Sequence, residues 1–148
     1  MTIPRNEHLA LVEVQVYADY DFTKNVALGK YATQSSTNLY GYGALEAVNG
    51  ETGAYSSTWA ETKREPHPWW VVDLGESLQV THVIIWNRTD GRDNGWTERL
   101  SNARIQLLDS SFSIKKEIDV GSFKNEESKE FSLSDFDSVS ISSVRWSF

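Results

Sequence analysis

Apolar and polar positions alternate along most of this chain, and the period is two. Over residues 9–17 (LALVEVQVY), Leu9, Leu11, Glu13, Gln15 and Tyr17 fall on one face and Ala10, Val12, Val14 and Val16 on the other, which predicts a strand. Further strands are predicted at 69–73 (WWVVD), 80–87 (VTHVIIWN), 103–109 (ARIQLLD), 114–120 (IKKEIDV), 129–133 (KEFSL) and 138–147 (SVSISSVRWS). Turn-forming residues punctuate them: Asn49-Gly50, Gly75, Asp109-Ser110-Ser111, Gly121-Ser122 and Asp135-Phe136-Asp137. Only 43–48 (GALEAV) invites a helical turn, and no long helical stripe appears. Short strands at such spacing predict an all-β sandwich of about eight strands rather than an α/β enzyme. No internal repeat or low-complexity linker interrupts the pattern, so residues 1–148 are expected to form a single domain.

Composition narrows the functional classes. The absence of cysteine removes disulfides, thiolate nucleophiles and sulfur metal ligands. A formal net charge of −7 disfavours nucleic acid and anionic lipid as partners. No apolar run approaches the roughly 20 residues that span a bilayer, and MTIPRNEH lacks the apolar core of a signal peptide, so membrane insertion is not expected and any export signal was removed or never present. Six tryptophans are many for this length; core packing is expected to take most of them and leave one or two for a ligand.

One stretch is poorly explained by packing. In WNRTDGRDNGWTERL (86–100), an aliphatic segment, Val83-Ile84-Ile85-Trp86, runs directly into Arg88, Asp90 and Arg99 around a glycine-bracketed loop that carries Trp96. A guanidinium is a rigid fan of donors that can bridge adjacent sugar hydroxyls, a carboxylate can orient it, and an indole face can cover the C–H surface of a pyranose. The competing explanation for either arginine is a surface ion pair worth about 0–1 kcal/mol.

Read in order, NVALGKYATQSS (25–36), GALEAVNGE (43–51), PWWVVDLG (68–75), VIIWNRTD (83–90) and ERLSNARIQLLD (98–109) resemble the fucose-binding F-type lectins. These belong to the discoidin, or coagulation factor 5/8 type C, superfamily of jelly-roll, galactose-binding-domain-like sandwiches. The WNRTD and ERL blocks point to the lectin branch, whereas PWWVVDLG marks only the superfamily. The resemblance implies that Arg88, with Asp90 as its carboxylate, and Arg99 hold the sugar. Fucosylated or related glycans would then be the partners, an extracellular or cell-surface location would be expected, and a homo-oligomer or multi-domain context would supply avidity.

The chain departs from the family pattern in three places. Adjacent cysteines common between the two arginines are replaced by GRDNGWT (91–97), which makes Trp96 the natural wall of the pocket. The positions that best match the family histidine hold Trp59 to Glu61, and His67 lies later in that loop. Trp59, Glu61 and His67 are therefore candidate ligand contacts, while His82 reads as a strand-face residue and His8 as near-terminal. Third, the strand that normally closes the fold resembles 9–17 here and precedes NVALGK. Either the domain is circularly permuted and closed by 9–17, or 1–18 is the tail of a preceding repeat, which would give strand exchange and oligomers; the first is expected, because a sandwich without that strand would present an open edge.

The resemblance also implies a structural calcium ion, with Glu46, Asn49 and Glu51 from the AVNGE turn and Glu13 from the displaced strand as its ligands. Oxygen donors of this kind suit calcium. DGRDNG (90–95) is no EF-hand, since Arg92 occupies a ligand position, and Gly41-Tyr42-Gly43 is no phosphate loop. No G-x-S-x-G or H-E-x-x-H pattern occurs, so catalysis is not expected. Asn87-Arg88-Thr89 is a formal glycosylation acceptor, but its place at a strand end reads as structural. The rival reading is a discoidin-type adhesion or architectural module that binds a protein or cell surface.

Overall fold

A computed structural model describes residues 6–18, 23–39, 41–52, 59–88, 99–123, 127–132 and 140–148. Among these the chain forms strands β1 (Asn6–Glu7), β2 (Ala10–Leu11), β3 (Glu13–Tyr17), β4 (Tyr31–Gln34), β5 (Ala60–Glu61), β6 (Glu65–Pro66), β7 (Trp69–Leu78), β8 (His82–Trp86), β9 (Arg104–Leu108), β10 (Ile114–Asp119), β11 (Ser128–Ser132) and β12 (Ile141–Ser147). The helical turn expected near 43–48 is a short 3₁₀ segment, Ala44–Ala47.

Two antiparallel sheets carry the architecture. One runs β10-β9-β12-β7-β4 and the other β11-β8-β3, with the pairs β1-β6 and β2-β5 at the side. The alternation read from the sequence sets their inner faces. Trp70, Val72 and Leu74 of β7, Val144 and Trp146 of β12, and Ile105 and Leu107 of β9 are buried from one sheet, and Val14, Val16, Val83 and Ile85 from the other. All of them join a single hydrophobic cluster. Each large aromatic removes much area from water, and buried Trp70 also satisfies its indole by donating Nε1–H to the Ala44 carbonyl at 3.0 Å. This is the all-β sandwich that the patterning predicts.

Two details differ from the expectation. Residues 9–17 are not one strand: the chain bends at Val12, whose amide donates to the Trp86 carbonyl at 3.0 Å, so that β2 pairs with β5 and β3 pairs with β8. The cause is burial on both faces, since every residue from Leu9 to Val14 is covered and the alternation no longer selects one sheet. The turn expected at Gly75 is an irregularity inside β7. Its positive φ of 80° lets the strand continue to Leu78 while the register with β12 shifts between Ile141 and Ser143. β3 pairs along the flank of β8 opposite β11 and forms the edge of this sheet.

Candidate functional site

The short β2-β5 pairing places Glu61 opposite Ala10. Its backbone is tied on both sides, because Glu61 N–H donates to the Tyr42 carbonyl at 3.0 Å and the Asn38 N–H donates to the Glu61 carbonyl at 2.9 Å. Gln34, at the end of β4, adds donation from Nε2 to the carbonyls of Tyr42 at 3.1 Å and Glu61 at 3.4 Å. Two stretches, β2 and residues 34–42, thus fix one residue, whose side chain is turned inward and is only 4% exposed.

The two arginines meet on that carboxylate. Arg88, two residues past β8, places Nη1 3.0 Å from Glu61 Oε1, and Arg99 places Nη1 3.6 Å from the same oxygen. Asn38 Nδ2 donates to Oε2 at 2.5 Å, and the Trp59 indole donates to Oε1 at 3.4 Å. A second acid serves Arg99, whose Nε lies 3.8 Å from Glu7 Oε1. The Arg88 guanidinium also stands 4.4 Å from the Trp59 ring centroid, and that ring stacks on Tyr42 at 4.9 Å with planes 17° apart. Cation–π attraction and the ion pair therefore act on one guanidinium together. With side chains 11% and 18% exposed, Arg88 and Arg99 are held as rigid groups at a partly covered site rather than as mobile surface charges.

Of the residues singled out from the sequence, Arg88, Arg99, Trp59 and Glu61 come together here. Asp90 and Trp96 lie outside the described residues. His67 does not join them: it is exposed, holds a left-handed φ of 55°, and makes no hydrogen bond or ion pair among the described residues. Asn38, Tyr42, Glu7 and His8 belong to the neighbourhood without having been anticipated. His8 Nδ1 lies 2.9 Å from the Thr62 carbonyl, which can only accept, so Nδ1–H is the donor. The one advance signal for these residues was the strand-like stretch that begins at Leu9, which draws Glu7 and His8 alongside β5 and β6.

Glu13 stands apart from this cluster, buried in β3 beside the Asn49-Gly50 turn. Its Oε2 accepts the Gly50 N–H at 2.6 Å, whereas Oε1 is buried with no partner among the described residues. Burial pushes the carboxyl pKa up to about 8 against the backbone donors of Gly50 and Asn49, with the nearby Glu51 charge adding to the rise. Asn49 Oδ1 accepts the Glu51 N–H at 2.9 Å, and Asn49 Nδ2 donates to Glu46 Oε2 at 3.2 Å. Among the described residues no group of three or more histidines, cysteines, aspartates or glutamates is gathered closely enough to hold a metal ion, so Glu13, Glu46 and Glu51 do not form a ready carboxylate cage.

The sandwich thus brings two arginines from separate parts of the chain onto one buried acid. Residues 46–146 match the F5/F8 type C family described as the NedA-like, galactose-binding domain, and the chain belongs to that family. Fucolectin-1 of Anguilla japonica is 35% identical over 94 residues, which span 59% of this chain and 50% of that protein. The chain thus spans about half the length of this relative. Among solved structures, a fucose-binding module of Streptococcus pneumoniae, SpX-3, superposes with a TM-score of 0.72 at 29% identity, covering 84% of this chain and 86% of that one. The lectin domain of lectinolysin, solved with Lewis B antigen, gives 0.65 at 30% identity and covers 85% and 86%.

Proposed function

We propose that this chain is a non-catalytic lectin module that binds L-fucose, or a sugar of related configuration, on fucosylated glycans through Arg88 and Arg99. The observation that carries the reading is their convergence on Glu61 from separate parts of the chain. A buried carboxylate that holds two guanidinium groups fixes their donor directions before a ligand arrives, which lowers the ordering cost of binding. Trp59, gripped by Tyr42 and Arg88, supports that geometry and supplies apolar surface beside it. Asp90 and Trp96, as carboxylate and wall, complete the site in this reading, and His67 has no part in it. The similarity to Fucolectin-1 and to a fucose-binding module supports the choice of sugar, and the secreted or cell-surface setting of such lectins supports an extracellular role.

Calcium belongs to the same proposal as a structural ion. The support is Glu13 Oε1, a buried acceptor without a partner among the described residues beside the Asn49-Gly50 turn. Glu13 would be its carboxylate ligand, Asn49, Glu46 and Glu51 the neighbouring oxygen donors, and main-chain carbonyls the remainder. When bound, the ion would neutralise Glu13 and pin the turn.

Calorimetric titration of L-fucose into the wild type, Arg88→Ala and Arg88→Lys tests the reading. Weak saturable binding is expected for the wild type, with a loss of tenfold or more in both variants, because lysine keeps the charge but not the fork. Silence toward fucose and toward every sugar on a glycan array would overturn it in favour of an adhesion or architectural module.

A further inference from the structure

Alternation turns Trp70, Leu107 and Trp146 into the core, so Trp69, Leu108 and Arg145 face outward from the five-stranded sheet. Val71, between inward-facing Trp70 and Val72, joins them, and the register sets it directly opposite Arg145. With Phe112 from the loop after β9, these residues line a hollow of about 170 Å³. It shares no residue with the cluster at Glu61. Leu108 is buried yet does not join the hydrophobic cluster between the sheets, so its cover lies on this outer side. The hollow is smaller than the roughly 300 Å³ at which sites for drug-sized ligands begin, and it suits one ring rather than several.

The polar side-chain atoms of this lining are all nitrogen donors: the Arg145 guanidinium and the Trp69 indole N–H. The indole N–H makes no hydrogen bond among the described residues. Arg145 Nε donates to Gln106 Oε1 at 2.5 Å, and Gln106 Nε2 donates in turn to Glu117 Oε2 at 2.8 Å. Glu117 Oε1 takes Arg104 Nη1 at 2.9 Å. An amide that is itself anchored and only 8% exposed therefore orients the Arg145 guanidinium, while no acid among the described residues neutralises it. Its Nη1 and Nη2 end is left to offer two N–H donors side by side, the fork that fits a carboxylate. The other charges nearby are placed differently. Arg104 is paired with Glu117 at 2.9 Å and Lys115 with Asp109 at 3.4 Å. Asp73 and Asp109 line a neighbouring hollow, with Phe112 as the wall common to both.

Phe112 is 70% exposed and holds a left-handed φ of 60°, a backbone conformation that glycine adopts freely and a bulky side chain does not. Neither burial nor backbone preference accounts for a phenylalanine at this position, whereas a ring displayed toward a ligand does. Trp69, 37% exposed, adds a second aromatic surface to the same hollow. Aromatic faces cover the C–H surface of a pyranose, and the flanking donors ask for oxygen acceptors.

We propose that this hollow is a second saccharide site, selective for a pyranose that carries a carboxylate. The carboxylate would take the Arg145 fork, the sugar ring would lie over Val71 and Leu108 between the aromatic surfaces, and the Trp69 indole would donate to a ring oxygen or hydroxyl. A basic sugar would meet an unneutralised guanidinium, and a neutral one would leave that charge unanswered. That the ring belongs to a saccharide rests on the lectin reading; the position and charge preference of the site do not.

The test is calorimetric titration of the full chain with digalacturonic acid and with sialyllactose, each beside its methyl ester, at a pH near 7 where the free carboxylates are ionised. Saturable binding of at least one acid is expected, at least tenfold weaker for its ester and for Arg145→Gln, several-fold weaker for Phe112→Gly, and falling as salt is raised. Phe112→Gly should melt no lower than the wild type, because glycine accepts the left-handed backbone. Binding should shift the indole fluorescence, and Trp69→Phe should remove that change. Arg88→Ala should bind the acid as the wild type does, and Arg145→Gln should respond to L-fucose as the wild type does, so failure here and failure of the fucose reading are separate results. Silence toward both acids overturns the proposal, as do equal affinity for the esters and insensitivity to Arg145→Gln. Loss of acid binding in Arg88→Ala places the sugar at the other cluster and refutes the site. Benzoate that binds as tightly as the sugars refutes the saccharide assignment.

Discussion

Glu61 is the residue on which the arrangement at the rim turns. A buried carboxylate between two guanidinium groups is seldom a net source of stability, because desolvation offsets most of the Coulomb gain, yet removing one partner leaves the others uncompensated. Glu61→Gln is therefore expected to destabilise the fold by on the order of 3 kcal/mol. It should also weaken fucose binding at least as much as Arg88→Lys, which leaves the Arg99–Glu61 pair in place. Thermal denaturation alongside sugar titration separates the two effects, and a Glu61→Gln protein that binds fucose normally would show that the acid does not position the arginines. The role of each histidine is testable at the same scale. His8 follows Glu7, which faces Arg99, and bonds to Thr62, the residue after Glu61, whereas His67 is exposed and makes no such link. A several-fold loss of fucose affinity is expected for His8→Ala and none for His67→Ala; the reverse ranking would return His67 to the site.

Glu13 gives the residue scale its pH dependence. With a folded pKa of about 8 against an ordinary value of 4.5, the native state holds a proton that the unfolded chain releases. The unfolded state thus binds fewer protons between these limits, so this group's contribution to stability is full below pH 4.5, declines as pH rises toward 8, and levels off above it. In a chelator the melting temperature is expected to fall across that window, and Glu13→Gln should flatten the curve. Because a cation requires the carboxylate, added calcium should raise the melting temperature more at pH 8 than at pH 5. A flat wild-type profile would mean that Glu13 is hydrated, and equal calcium effects at both pH values would separate the ion from Glu13.

At the scale of elements, what could be read in advance was whatever depends on neighbours in sequence. The alternation in WWVVD and VTHVIIWN predicted β7 and β8 because one face of each is buried, and Gly75 announced an irregularity, though as a turn rather than a bulge. The two-residue strands were invisible: β1, β5 and β6 have no period of their own and exist only through distant partners, β1 and β6 through each other and β5 through Ala10–Leu11. The same limit applies at the rim. Arg88, Arg99, Trp59 and Glu61 were legible through the family pattern, but Asn38, Tyr42 and Glu7 reach Glu61 or its partners across long stretches of chain that no local motif encodes. β3 offers an element-scale test. Val14 and Val16 are fully buried against the core and β3 covers the open flank of β8. Val14→Asp places an unpaired charge there and is expected to unfold the domain or free the strand, exposing an edge that pairs between molecules. Size-exclusion chromatography should then show oligomers, and a monomeric, fully stable variant would mean that β3 is dispensable.

For the whole molecule, the decisive quantity is how little one rim site can contribute. A monosaccharide offers few contacts, each in competition with water, and association must still offset lost translational freedom, so one domain is expected to hold fucose weakly. The net charge of −7 supplies no long-range steering toward an uncharged sugar, and exposed charges are screened beyond about 8 Å at physiological salt. Fucose affinity should therefore change little with ionic strength. Useful retention on a glycan surface then requires several copies. A flexible tandem fusion of two domains is expected to bind a densely fucosylated surface roughly 10²–10⁴ times more tightly than one domain, with no change toward free fucose. Surface plasmon resonance at two ligand densities measures both. If the single domain already binds the dense surface as tightly as the fusion, the chain either associates on its own or reads an extended glycan rather than one sugar.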